Sequence, residues 1–267
     1  MSDTFKFTRG QVPLLISMPH PGTRLTAAVE QGLVPAGHAL ADTDWHIPRL
    51  YAMAEELGAS RLEALYSRYV IDLNRPDDDV PLYSSATTGL FPEVLFDGSP
   101  LFRDGQAPDA QARQQALEEI WRPYHQTLVA ELQRLRETFG YALLWDAHSI
   151  CSHIPRLFDG QLPDLNFGTF DGASCAPELT SRLQAVANGQ QRLTHVFNGR
   201  FKGGFITRHY GAPAQHIHAV QLELAQCTYM DEAPPFGYRE DRAIPTQDVL
   251  RQLLEATLTW GRERYGR

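Results

Sequence analysis

A mixed, mainly parallel α/β sheet flanked by helices is the architecture expected for this chain, on three observations. Short apolar runs alternate with stretches of helical periodicity along the 267 residues, the pattern of strand-helix units rather than of a bundle or a sandwich. Several runs, VPLLIS, YALLW and HAVQLELA, are apolar almost throughout, as strands covered on both faces are. Polar clusters stand at the ends of those runs, where α/β sheets bind their ligands. With 43% apolar residues the chain can bury a sizeable core, and its length suits one domain over 1–267.

The elements follow in order. Val12 to Ser17 reads as a strand that ends in the turn Pro19-His20-Pro21-Gly22. His46 to Leu57 carries apolar residues at helical spacing, with Pro48 in the first turn where its missing N–H costs nothing. Leu62 to Leu73 is rich in strand formers, and Asn74 to Pro108 is a Pro/Gly/Asp-rich irregular segment of the length that walls or covers a site. Asp109 to Phe139 is the longest helical pattern, capped by Asp109, kinked or split by Pro123 and ended by Gly140. Tyr141 to Trp145 is a strand, Ala176 to Ala187 a helix, Leu193 to Phe197 and His218 to Leu224 strands, and Thr246 to Arg264 a closing amphipathic helix.

Charge and composition narrow the partners. A net charge of -8 without a clustered excess of Lys and Arg excludes a nucleic-acid surface and leaves a small molecule. No run approaches the roughly 18 apolar residues of a membrane span, and MSDTFKFTRG lacks a secretory leader, so a soluble cytoplasmic protein is expected. Cys151, Cys175 and Cys227 are scattered and read as reduced thiols, not as a disulfide framework or thiolate metal site.

The strand-end clusters point to a catalytic metal site of three nitrogen or oxygen ligands with one position open for water. His20 and His148 are the first two candidates. A lone loop histidine more often bonds backbone, but two at equivalent strand ends weaken that alternative. The third ligand is expected in Asp42-Thr43-Asp44-Trp45-His46, with Asp44 favoured over an N-cap role and His46 as reserve. Asp146, two residues before His148, is placed to orient its imidazole. Glu223 sits in a strand with its side chain opposite Leu222 and Leu224, so it needs a partner or a task, and general acid/base work beside the metal is one. Arg75 and Arg208 follow apolar runs and are candidates for an anionic substrate. Gly203 and Gly204 allow close backbone approach to a ligand, or form a bulge.

Seven segments in order, ISMPHPG, DTDWHIPRLY, RYVIDLNRP, WDAHSI, LPDLNFGTFDGASC, GGFITRHYGAP and VQLELAQCTYMDE, make the chain resemble the N-formylglutamate amidohydrolases. The resemblance implies a zinc-carboxypeptidase-like (phosphorylase/hydrolase-like) fold and hydrolysis of N-formyl-L-glutamate to L-glutamate and formate in histidine degradation. It also implies His20 and His148 as metal histidines and Glu223 as the catalytic glutamate. Thr23 stands where related sites often carry a second-ligand glutamate, so Asp44 is the hypothesis for that position. Two substrate carboxylates call for Arg75 and Arg208, with Asn74 orienting the substrate. One divalent metal is expected. Zinc fits, and cobalt, manganese or iron accept the same ligands. Rivals are an amidohydrolase for other N-acyl amino acids or peptides, and a metal-free binding protein for acidic amino acids. Oligomeric state is not legible in the sequence.

Overall fold

A computed structural model describes residues 3–81 and 87–266. In chain order it contains β1 (Phe5–Thr8), β2 (Leu14–Met18), α1 (Ala27–Gly32), α2 (Ile47–Leu50), α3 (Met53–Glu56) and β3 (Ser60–Ala64). There follow α4 (Ala110–Ala116), α5 (Arg122–Phe139), β4 (Ala142–Ile150), β5 (Leu165–Gly168), α6 (Pro177–Gly189), β6 (His195–Phe197), α7 (Phe205–Tyr210), β7 (Ile217–Ala225) and α8 (Glu240–Tyr265). The strands form one seven-stranded sheet in the order β1-β3-β2-β4-β7-β5-β6. Its central run β3-β2-β4-β7 is parallel, while β1 and β5 join antiparallel. No helix among the described residues is long and apolar enough to cross a membrane.

The two-residue period of a strand divides the core. Leu14, Ile16, Met18, Leu143, Trp145, Ala147, Val220, Leu222 and Leu224 pack on one face with Leu50 of α2, Leu179 and Leu183 of α6 and Leu250 and Leu253 of α8. Leu15, Ala142, Leu144 and Ala219 face the other way, against Leu128, Leu132 and Leu135 of α5. Continuing along that second face, β4 presents Asp146 and His148, and β7 presents Gln221 and Glu223. The same alternation that buries apolar rows under α5 therefore sends polar side chains into one place at the carboxyl ends of the central strands.

Several boundaries differ from the sequence-based expectation for local reasons. The N-terminal edge strand β1 was not foreseen. β4 runs on to Ile150, so Asp146 and His148 lie inside the strand and not beyond it. Of the Leu62–Leu73 stretch only residues 62–64, the end of β3, are strand, because the chain turns away after Ala64 through turns closed by Val70 N donating to Ser67 O and Arg75 N donating to Asp72 O. The helix expected over His46–Leu57 is two short pieces, α2 and α3. Asp109 caps α4, its Oδ1 accepting from Ala112 N at 2.8 Å, and Gly140 ends α5 in the left-handed region at φ 82°. Between α4 and α5 the helix continues through a π turn, Leu117–Trp121. Pro123 lacks an N–H and its ring crowds the carbonyl four residues back, and the wider turn immediately before it accommodates both defects without a break. Segment GGFIT, the apolar run before Arg208, enters α7. Within Asn74–Pro108 no helix or sheet strand occurs among the described residues, and residues 82–86 lie outside them.

Candidate metal centre and substrate cleft

His20 sits two residues past β2, and Asp44 is brought under it by its own backbone, Asp44 N donating to His20 O at 3.1 Å. His148 and Glu223 are register partners on β4 and β7, both nearly or fully buried. Among the described residues, His20, Asp44 and His148 are the group whose ligand atoms come together, all within 4.8 Å of one another.

The hydrogen bonds fix which atoms meet. His20 Nε2 lies 2.7 Å from Asp72 Oδ1, and a carboxylate only accepts, so Nε2 donates and Nδ1 is left with a bare lone pair. His148 Nε2 lies 3.1 Å from Asp146 Oδ2 and 3.0 Å from Asn74 Nδ2. The same reasoning has it donate to Asp146, with Asn74 donating a second N–H to that oxygen at 3.4 Å. The two Nδ1 atoms then face each other at 3.2 Å, with Asp44 Oδ2 at 3.1 Å from His148 and 3.7 Å from His20. Asp44 Oδ1 is buried without a hydrogen-bond partner. Three electron-rich atoms converging in a buried space require a positive charge between them. The donor set N, N, O with carboxylates behind both imidazoles is one that could hold a divalent metal ion.

Titration behaviour agrees with that demand. Burial opposes charge on His148, but Asp146 and Asp44 outweigh it and hold its pKa well above the ordinary histidine value. Burial likewise opposes ionisation of Asp44 and Asp72. The histidines bonded to Asp44, and Arg68 and His20 beside Asp72, hold both carboxyls below their usual range. Without metal the site keeps a proton near neutral pH, so a cation must displace it, and affinity falls as pH falls. Calorimetric titration of metal-free protein with zinc at pH 7, in buffers of different ionisation enthalpy, is expected to report about one proton released per ion. Release of none would contradict this arrangement.

Glu223 differs from the other carboxylates. Burial pushes its pKa up to about 8, with Asp44 and Asp146 adding to the rise and His148 and Arg68 opposing it. A carboxyl poised near neutrality beside a candidate metal site is suited to exchanging protons.

The site opens into a cleft with about 610 Å³ of empty space, its mouth included, where His20, His148 and Glu223 meet Asn74, Arg68, Arg75 and Arg200. Arg75 is braced by Nε donating to Thr88 O at 2.7 Å and Nη2 to Thr87 Oγ1 at 2.9 Å. Arg200 donates from Nε to Leu157 O at 2.7 Å. Phe96, Ile150, Leu157 and Phe201 form the apolar wall. Phe96 is pinned there by its N–H to Asp42 Oδ2 at 3.0 Å and by the Arg68 guanidinium 4.6 Å over its ring.

The structure thus brings together His20, Asp44, His148, Asp146, Glu223, Asn74 and Arg75. Two others have different described partners. Arg208, on the last turn of α7, donates to Gly203 O at 2.7 Å and lies 4.7 Å over the Phe170 ring, and is not among the cleft's described lining residues. The reserve ligand His46 turns aside to donate from Nε2 to Phe236 O at 2.7 Å. Asn74 spends its amide internally, Nδ2 toward Asp146 and Oδ1 accepting from Ile206 N at 2.8 Å. Gly204 makes that possible, because a Cβ there would lie 2.4 Å from the Asn74 amide. Sequence reasoning missed Asp72, Arg68 and Arg200. Asp72 and Arg68 are spaced four apart and joined at 2.6 Å, a signal hidden by the strand-like composition around them.

Comparison with known proteins agrees with these features. Residues 12–230 match the family described as N-formylglutamate amidohydrolase. The N-formylglutamate deformylase of Pseudomonas aeruginosa is 67% identical over 265 residues, covering 99% of this chain and all of that protein. That of Pseudomonas putida is 66% identical over 267 residues, covering 100% of both. In fold, the chain is similar to the crystal structure of N-formylglutamate amidohydrolase from Ralstonia eutropha JMP134, with a TM-score of 0.82 at 22% identity over 99% of each chain. A second structure, of a gene product from Agrobacterium tumefaciens, gives a TM-score of 0.74 at 16% identity over 97% of this chain and 96% of that one. Sharing two-thirds of its residues with two full-length relatives and matching the family along most of its length, this chain belongs to the N-formylglutamate amidohydrolase family.

Proposed function

We propose that this amidohydrolase hydrolyses N-formyl-L-glutamate to L-glutamate and formate, with zinc as the working metal, as a step of histidine degradation. The observation that carries the reading is the convergence of His20 Nδ1, His148 Nδ1 and Asp44 Oδ2 beside Glu223 in a cleft lined by arginines. The identity to two deformylases supports the substrate. One continuous sheet supports reading 1–267 as a single domain, and the strand-end ligand set supports kinship with the zinc carboxypeptidases.

His20, Asp44 and His148 would hold a divalent ion, which would supply Lewis acidity and lower the pKa of water toward about 7. Glu223 accepts a proton from the attacking water as its oxygen bonds to the formyl carbon. When the C–N bond breaks, the protonated Glu223 returns that proton to the departing glutamate nitrogen. Asp72 and Asp146 hold the two imidazoles in the tautomer that turns Nδ1 inward. Arg68, fixed to Asp72, stands 3.7 Å from Asp44 Oδ1 and keeps positive charge at the edge of the centre. Arg75 and Arg200 receive the two substrate carboxylates, Arg200 taking the place that the sequence assigned to Arg208. Asn74 braces Asp146, the acceptor for His148, and the start of α7 in place of touching substrate. Phe96, Ile150, Leu157 and Phe201 limit the acyl group to a small one.

The test is a comparison of N-formyl-L-glutamate with N-acetyl-L-glutamate, N-succinyl-L-glutamate and N-formyl-L-alanine, assayed for released amino acid. Formylglutamate is expected to lead each by at least about 100-fold in kcat/KM, since loss of a charge-paired contact or a clash in a closed pocket is worth a few kcal/mol. Equal or faster hydrolysis of the acetyl or succinyl compound would move the reading to another N-acyl substrate.

A further inference from the structure

The turn that presents Asn74 and Arg75 to the cleft is held from behind by one helix, and nothing in the site chemistry accounts for it. Trp121, at the junction of the π turn and α5, donates from Nε1 to Arg75 O at 2.9 Å. One turn on, His125 donates from Nε2 to Leu73 O at 2.9 Å, which leaves Nδ1 to accept from Tyr210 Oη at 2.8 Å. The two rings stack with centroids 3.8 Å apart, and Phe205 packs against both. Both side chains are buried. Burial lowers the His125 pKa to about 3, so the imidazole is neutral over the working range and its single N–H is committed to the carbonyl. Between those two carbonyls, Asn74 O accepts from Arg75 Nη1 at 2.9 Å, tying the guanidinium to the same backbone.

Every carbonyl from 73 to 75 is thus occupied, two of them by side chains of one helix whose π turn sets the direction of the indole. We infer that Trp121 and His125 are positioning residues that fix the 73–75 turn, and through it the Arg75 guanidinium, for binding the substrate carboxylate. This rests on the proposed role of Arg75. Neither side chain lines the cleft, so the effect passes through Arg75 and falls on substrate binding more than on turnover. Tyr210 extends the clamp to α7, whose Ile206 N–H holds the Asn74 side chain.

The experiment uses the metal-loaded full chain. Trp121→Phe keeps the ring and removes the donor, and Tyr210→Phe tests the same clamp through His125 should the first variant fold poorly. KM for N-formyl-L-glutamate is expected to rise about 5- to 30-fold, the factor set by 1–2 kcal/mol, with metal content unchanged and kcat within about 2-fold. Hydrogen exchange in a peptide spanning 73–76 is expected to quicken. In an Arg75→Met background, Trp121→Phe is expected to leave KM unmoved. The same KM factor in both backgrounds, unchanged exchange at 73–76, or a loss confined to kcat would overturn the inference. If Arg75→Met alone left KM unchanged while Trp121→Phe still quickened exchange, the arginine assignment would fail and the clamp would stand.

Discussion

Glu223→Gln is expected to retain its metal and lose about 10²- to 10⁴-fold in kcat, the usual contribution of a positioned general acid/base. The substitution preserves shape in a strand that is buried on both faces, so the fold should survive. What disappears is the ability to take a proton from water and return it to the leaving nitrogen. Burial raises the Glu223 carboxyl to about 8 without metal. A cation nearby favours the ionised form, so in the loaded enzyme the carboxyl should titrate below that value. Activity should therefore rise with pH along a limb set by Glu223, since the base must be ionised, and the residual rate of the Gln variant should lack that limb. Near-normal turnover in Glu223→Gln would make the residue structural and require another base.

His20→Ala is expected to empty the site. Its Nδ1 is one of three convergent ligand atoms, and its removal leaves two ligands and takes the imidazole away from buried Asp72, which keeps its bonds to Arg68 and to Asn74 N. Metal content after dialysis should fall from one ion per chain to a small fraction, and activity with it. Asp72→Asn gives the graded comparison: the ligand remains but the acceptor that fixes its tautomer is weakened, which typically costs about 10- to 100-fold in metal affinity. Full occupancy in His20→Ala would sink the ligand assignment, and Asp72→Asn binding metal as tightly as the parent would remove the outer carboxylate from it.

Much of the site was legible because strands advertise their ends. His20, His148 and Glu223 follow or interrupt apolar runs, and two-residue alternation alone puts Glu223 opposite Leu222 and Leu224, on the face where the cleft lies. Asp44 was legible as one of several ligand types in a short polar segment, but the choice over His46 depended on the backbone bond from Asp44 N to His20 O, which no local pattern encodes. Arg68 and Asp72 were hidden because RYVIDL has strand composition yet folds as turns after β3. Arg208 follows the converse pattern. GGFIT reads as an apolar run, but Gly204 leaves space for Asn74 and the chain enters α7, which carries Arg208 toward Phe170 while Arg200, preceded by no such run, lines the cleft. The sheet order was not legible either, because strand periodicity says which face is buried and nothing about which strand is next.

The central claim, a metal-dependent deformylase built on His20, Asp44, His148 and Glu223, is tested most directly by formate release from N-formyl-L-glutamate. The assay is run on protein as purified, after chelation and dialysis, and after zinc is restored. The account predicts stoichiometric formate and glutamate in the first state, loss in the second and recovery in the third. Formate release that survives complete removal of metal would contradict it.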